Sequence, residues 1–335
     1  MKLMTRMLAL LLAVSLCIFP VFGAEPEAEA QYFTEWSEGL DEIMAEYMAA
    51  NGLSERNFAM GYLYTGTGEY WYYNEDKMMV GGSIYKLPLN MRITEQVADG
   101  ERSWNDRVHG MPLAEAQRMS VTHSHNDISI SLQHYCAGFR SGYYVTYRKQ
   151  LLKYSGWAED EIPAGYYGTN TFSARYMLNT LKTLHENSDF YSNIIGYMKD
   201  AAPGLYFRRG QGEYEIAHKY GMVENVLHDV GIVYTPTPFL LVVMTQDVYG
   251  ERILGELCQL MTEYTLSLDA KYEAERQSVI GEAETLALTL AEEEAAEREA
   301  AYAADLLAAL SGQTEDDIAE LANAFAFSAL RWCLP

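Results

Sequence analysis

The chain has 335 residues, with 47 acidic against 24 basic side chains and a formal net charge of −23. That balance excludes a nucleic-acid binder, because neutralising phosphates takes a basic surface. An apolar share of 49% with 13% aromatic residues excludes wholesale disorder, and the length accommodates one large domain or two ordinary ones.

Residues 1–23 begin with Lys2 and Arg6, run through an apolar stretch over 7–22 and end on small residues. This is the pattern of a secretory signal, with Val21 and Gly23 placing cleavage before Ala24. The expected localisation is secreted or extracytoplasmic. An uncleaved membrane anchor is the alternative, although the run is short for a span of about 20 residues. Beyond the signal the cysteines are Cys136, Cys258 and Cys333. They allow at most one internal disulfide, so the fold must rest on its core.

Residues 33–48 carry Trp36, Leu40, Ile43, Met44 and Tyr47 at helical spacing, ended by Asn51-Gly52, and predict a first helix. The β-rich runs 58–64 and 70–73 are joined by Thr65-Gly66-Thr67-Gly68-Glu69, a natural hairpin. Gly81-Gly82-Ser83-Ile84-Tyr85-Lys86 leads into a helical pattern through Leu87, Leu89, Ile93 and Val97, and helices dominate to about residue 200. Strand patterns return at 214–220, 230–234 and 239–245, before a helix over 251–268 with Ile253, Leu254, Leu257, Leu260 and Met261 on one face. The expected fold is α+β: an antiparallel sheet built from both chain ends, with a helical half inserted between them.

Composition breaks near Asp269, since residues 269–335 hold 15 acidic and 4 basic side chains, a net −11. Residues 281–310, rich in Ala, Glu and Leu, predict a long exposed helix, and Thr314 with Asp317 resembles a capping box opening a last one through Ile318, Leu321, Phe325 and Leu330. The expected division is therefore a signal over 1–23, a main domain over 24–268 and an acidic helical extension over 269–335. The extension reads either as a solvated appendage or as an arm for a protein partner or self-association.

The chemistry starts at Ser83 and Lys86. A serine in the first turn of a helix gains from backbone N–H groups that favour a nearby oxyanion, and a lysine three places on shares its face. If partly desolvated, that lysine holds a neutral amine able to take the hydroxyl proton. Two more matches follow: Ser124-His125-Asn126 ahead of an apolar helical run, and Lys219-Tyr220-Gly221 on a strand. The order Ser-x-x-Lys, Ser-x-Asn, Lys-x-Gly resembles the motif set of class A-like beta-lactamases and penicillin-binding-type serine hydrolases over roughly residues 33–268. The hairpin before Ser83 and Thr171-x-x-Ala-Arg-Tyr-Met, which looks like the segment after that family's omega loop, fit the same resemblance.

The resemblance implies the beta-lactamase/transpeptidase-like fold and a serine hydrolase working through an acyl-enzyme on a beta-lactam or a cell-wall peptide. It casts Ser83 as nucleophile, Lys86 as base, Ser124 as proton relay, Asn126 as holder of the substrate amide and Lys219 as the group that steers the substrate carboxylate. Gly221 closes the third motif, and the N–H groups of Ser83 and Met222 would form the oxyanion hole. No cofactor or metal is implied. Three positions depart from the pattern. His125 stands in the middle of the second motif. Tyr220 replaces a small hydroxyl residue, its ring expected where that hydroxyl meets the substrate carboxylate. Glu159, Asp160 and Glu161 do not fall in the Glu-x-x-x-Asn frame of a deacylating base, which predicts a long-lived acyl-enzyme. The rival reading is a non-catalytic protein that uses the same cleft to bind a ligand or partner.

Other readings weigh less. His123 and His125 are expected as neutral, hydrogen-bonded histidines, because no third metal-ligand cluster follows. Residue 85 is tyrosine, so no Gly-x-Ser-x-Gly elbow exists. Gly66-Thr67-Gly68 belongs to a hairpin turn and opens no phosphate loop. Arg208 and Arg209 read as a solvated pair or as an attractor for an anionic substrate. The tyrosines at 70–73 and 143–144 read as packing.

Overall fold

The computed structural model describes residues 26–139 and 141–310. The signal segment, Cys333 and the last expected helix lie outside them, as do the side chains of residues 26–38. The described residues group into one compact unit ending at Tyr272 and another beginning at Glu273. Among them no helix is long and apolar enough to cross a membrane.

A five-stranded antiparallel sheet organises the first unit, in the order β2-β1-β9-β8-β7. β1 (Phe58–Tyr64) and β2 (Tyr70–Tyr73) come from the N-terminal end, and β7 (Glu215–Val223), β8 (Val226–Tyr234) and β9 (Phe239–Gln246) from the C-terminal end. The two groups join through the β1–β9 ladder, where Phe58 pairs Thr245 and Tyr64 pairs Phe239. The expected hairpin forms in register, Met60 opposite Tyr73 and Leu63 opposite Tyr70.

Every residue of β1 is buried, because both faces of the sheet are covered. Ala59, Leu63, Leu240, Val242 and Met244 face the helical half. Their alternates Phe58, Met60, Tyr62, Leu241 and Val243 face α1 (Pro26–Asn51) and the start of α8 (Gly250–Leu310), which contribute Leu40, Met44, Ile253, Leu254, Leu257 and Met261. Polar ties fix that second layer: Trp71 Nε1 donates to Asp41 Oδ1 at 2.6 Å, and Tyr47 OH to Glu256 Oε2 at 2.8 Å.

The inserted half comprises α2 (Lys86–Ala98), α3 (Leu113–Val121), α4 (Asn126–Ala137), α5 (Tyr143–Leu151), α6 (Ala174–Glu186) and α7 (Ser192–Lys199). Between them lie two small ladders that the sequence reading does not contain. β3 (Met79–Val80) pairs with β6 (Thr171–Phe172), and β4 (Arg107–Val108) pairs with β5 (Met111–Pro112). Two-residue strands leave no periodicity to read. The segment opened by Thr171 starts α6 as expected, with Ser173 Oγ accepting from the Tyr176 N–H at 3.2 Å.

The two C-terminal helices of the sequence reading are one continuous element, α8. Charge shifts at Asp269, but no proline interrupts an Ala-, Glu- and Leu-rich stretch, and the helix runs on through the single glycine there, Gly281. Asp269 itself is tied to the sheet end, its carboxylate accepting from Tyr64 OH at 2.6 Å and from the Thr237 N–H at 3.3 Å. Cys136 and Cys258 are buried free thiols, and burial pushes the Cys136 thiol up to about 12.

Candidate active site

The proposed nucleophile lies in a tight turn that feeds α2. Successive i→i+3 bonds from the N–H groups of Ile84, Lys86 and Leu87 to the carbonyls of Gly81, Ser83 and Ile84 (3.1–3.2 Å) form a 3₁₀-like lead-in. Ser83 and Lys86 therefore sit one tight turn apart, the lysine as first residue of the helix. Gly82 has φ +53°, and a Cβ there would lie 2.7 Å from the Met222 nitrogen, so only glycine lets this turn meet β7. Gly221 is equally constrained, since its Cβ would collide with the Gly81 carbonyl oxygen. The turn carrying Ser83 and the Gly221–Met222 backbone are thus in direct contact. The Ser83 N–H and hydroxyl have no hydrogen-bond partner among the described residues.

Four of the residues singled out form one hydrogen-bonded cluster. The Lys86 amine donates to Ser124 O at 2.5 Å, Ser124 Oγ at 3.2 Å and Asn126 Oδ1 at 2.8 Å. Lys219 Nζ reaches the same Ser124 Oγ at 3.0 Å and the Tyr220 carbonyl at 2.9 Å. Ser124 has φ +56°, a left-handed conformation that costs a non-glycine residue about 1 kcal/mol and turns its carbonyl and hydroxyl together onto Lys86. Asn126 follows as first residue of α4.

Both lysines are fully buried, and among the described residues no carboxylate is a hydrogen-bond or ion-pair partner of either. Burial lowers the Lys86 pKa to about 8. Lys219 is pushed well below the usual lysine range, first by burial and then by the Lys86 charge, against an opposing pull from Asp229. Two amines with weakened hold on their protons therefore converge on one serine hydroxyl beside the Ser83 turn. That arrangement can take a proton from an attacking hydroxyl and return one to a leaving group.

Two residues that sequence reading missed hold the turn in place. Asn170 O accepts the Gly81 N–H at 2.8 Å and its Nδ2 donates to Gly82 O at 2.8 Å, leaving a buried Oδ1 without a partner among the described residues. Arg148, fully buried on α5, ties down the segment around it. Its Nε donates to Tyr166 O at 3.0 Å and its Nη2 to Thr171 O at 2.9 Å, with the guanidinium 3.8 Å from the Tyr166 ring centroid and 4.4 Å from that of Phe172. The position of Asn170 just ahead of Thr171 was the available signal for the first. Nothing marked the second, because a buried arginine held by carbonyls and rings has no sequence signature.

The remaining residues fall outside the cluster. Residues Glu159–Glu161 form an exposed 3₁₀ turn, and Glu161 is engaged by the Ala158 N–H at 2.8 Å. The fourth residue before Asn170 is Tyr166, buried, its hydroxyl donating to Arg148 O at 3.2 Å. His123 lies 3.0 Å from Arg118 Nη1, a cation neighbour unsuited to a metal ligand. Arg208 is not a solvated attractor: it donates to the carbonyls of Ala201 at 2.9 Å and Ile216 at 3.2 Å, while Arg209 pairs with Glu251 at 3.0 Å. Tyr220 differs from expectation too. Its ring is not free but held between two neighbours, packed on Tyr206 with centroids 4.7 Å apart and lying 4.1 Å from Lys219 Nζ.

Residues 142–265 match the model of the beta-lactamase enzyme family. Comparison with curated proteins finds no match. Among solved structures, the class A beta-lactamase of the last common ancestor of Gram-negative bacteria is similar at 18% identity and TM-score 0.57, covering 67% of this chain and 98% of its own. A beta lactamase from Xanthomonas campestris pv. campestris gives 17% identity and TM-score 0.57, covering 68% of this chain and 98% of its own. A mutant of PBP-A, solved as an acyl-enzyme complex with penicillin G, gives 15% and 0.53, covering 63% and 90%. The chain has the beta-lactamase/penicillin-binding-type fold, extended by the long helix α8.

Proposed function

We propose that the protein is a secreted serine hydrolase acylated at Ser83 by a beta-lactam or a cell-wall peptide. The observation that carries this reading is Ser124 Oγ, which accepts from both Lys86 (3.2 Å) and Lys219 (3.0 Å) beside the turn that bears Ser83. The leader over 1–23 is the basis for export.

In this mechanism the neutral Lys86 amine takes the Ser83 hydroxyl proton as Oγ bonds to the substrate carbonyl carbon. The N–H groups of Ser83 and Met222 receive the oxyanion, the first having no other partner in this structure. Collapse breaks the C–N bond, and the proton passes through the Ser124 hydroxyl to the departing nitrogen. Asn126 and Lys219 hold Lys86 and Ser124 in this path. No carboxylate contacts Ser83, Lys86, Ser124 or Asn126 among the described residues, so water attack on the acyl-enzyme lacks a base and the intermediate persists.

One observation favours the rival reading of a non-catalytic binding protein: the Ser83 hydroxyl makes no hydrogen bond to Lys86 in this structure. Incubation of the folded protein with a fluorescent penicillin separates the two. A covalent label on wild type that is absent from Ser83→Ala supports the hydrolase, and no label at high probe concentration supports the binding protein.

A further inference from the structure

Lys219 is the cation that a substrate carboxylate would need, yet it is fully buried and not all of its N–H groups are free. Two go to Ser124 Oγ (3.0 Å) and Tyr220 O (2.9 Å), and the ammonium lies 4.1 Å from the Tyr220 ring centroid. That ring is braced in turn by Tyr206, tilted against it at 4.7 Å and 6% exposed. Tyr206 has φ +57°, a conformation a non-glycine residue keeps only where its surroundings hold it.

Among the described residues that pair with or precede this part of β7, no other cation is free to replace Lys219. On β8, the residues paired with Tyr220 and Gly221 are Asp229 and His228, both buried. Asp229 Oδ2 lies 2.7 Å from His218 Nδ1 and accepts the Phe207 N–H at 3.1 Å. His228 sits between Val80 O at 2.8 Å and the Thr245 N–H at 3.1 Å. Arg208 and Arg209, which precede β7, are spent on carbonyls and on Glu251. Met222, next along the strand, is 59% exposed, and Leu205, which precedes Tyr206, is 36% exposed.

We propose that this site takes acyl donors that carry no carboxylate at the Lys219 end, such as an internal amide or an ester, with the Tyr206–Tyr220 pair as the specificity determinant. The inference rests on the Ser83 acyl-enzyme reading and narrows its substrate class. A bound carboxylate would have to displace the Tyr220 ring to reach the N–H of Lys219 that Ser124 and the Tyr220 carbonyl leave over. A neutral group lies against the ring without disturbing it.

The test compares acylation of the full chain by penicillin G and by its neutral methyl ester, followed by intact mass. Wild type should react with the two at rates within threefold of each other, and Tyr220→Thr should favour the free acid at least tenfold. A wild type that prefers the free acid tenfold or more overturns the proposal, and this ratio decides it even if Tyr220→Thr fails to fold. A folded Tyr220→Thr whose ratio stays near one overturns the role given to the tyrosine pair. No adduct from either compound sinks the acyl-enzyme reading itself, and this inference with it.

Discussion

Replacing Lys86 by methionine should remove acylation without costing stability. Burial lowers the Lys86 pKa from 10.5 to about 8. In an unfolded chain the amine keeps its ordinary affinity for a proton, so at neutral pH folding works against that proton by about 3 kcal/mol. The sign follows: between pH 8 and 10.5 the unfolded chain binds more protons, stability rises with pH, and the cost is fully present below 8. Methionine has similar length and no charge, and it removes this cost. Against that, Ser124 O and Asn126 Oδ1 lose their donor, at about 1–3 kcal/mol if they stay dry. Lys86→Met should therefore be between equal to wild type and about 2 kcal/mol more stable at pH 7 in urea unfolding, with its advantage fading towards pH 10. Acylation should fall at least a thousandfold. The same shift leaves about a tenth of the wild-type amine neutral at pH 7, so the wild-type acylation rate should climb about tenfold from pH 6 to 7, about fivefold from pH 7 to 8, and level above that. A variant more than 3 kcal/mol less stable, one acylated within tenfold of wild type, or a wild-type rate flat from pH 6 to 9 would refute this reasoning.

Three further outcomes are expected. Gly221→Ala puts a methyl against the Gly81 carbonyl and should slow acylation at least tenfold in a stopped-flow label assay while the far-ultraviolet spectrum stays native; an unchanged rate removes the contact from the account. Arg148→Leu leaves the carbonyls of Tyr166 and Thr171 unpaired, so it should cost about 2–4 kcal/mol in urea unfolding and speed hydrogen exchange at the Gly81 amide, which Asn170 otherwise protects. With a chromogenic cephalosporin, the protein should release about one product per molecule and then stall; rapid turnover would show that a base for the deacylating water exists after all.

What the sequence discloses about this protein depends on how local each signal is. The hairpin through Thr65–Glu69, the helix after Ser83 and the three motifs are short, self-contained patterns, and the structure has them where the spacing puts them. Lys86, Ser124, Asn126 and Lys219 converge although 133 positions separate the first from the last, because the sheet is assembled from both chain ends. The misplaced helix break at Asp269 came from reading a charge shift as a structural one, although charge alone does not end a helix. Arg148 and Tyr206 were invisible because each acts through tertiary contacts with segments 18 or more and 14 residues away, whereas Asn170, which acts on a turn 88 residues away, was marked only by its place ahead of Thr171.

The central claim is that Ser83 becomes covalently acylated, and peptide mapping by mass spectrometry after exposure to penicillin G at pH 8 tests it most directly. The account predicts a penicilloyl adduct confined to the peptide containing Ser83, absent from Ser83→Ala and from Lys86→Met. An adduct on another residue, or an unmodified Ser83 in folded protein, contradicts it.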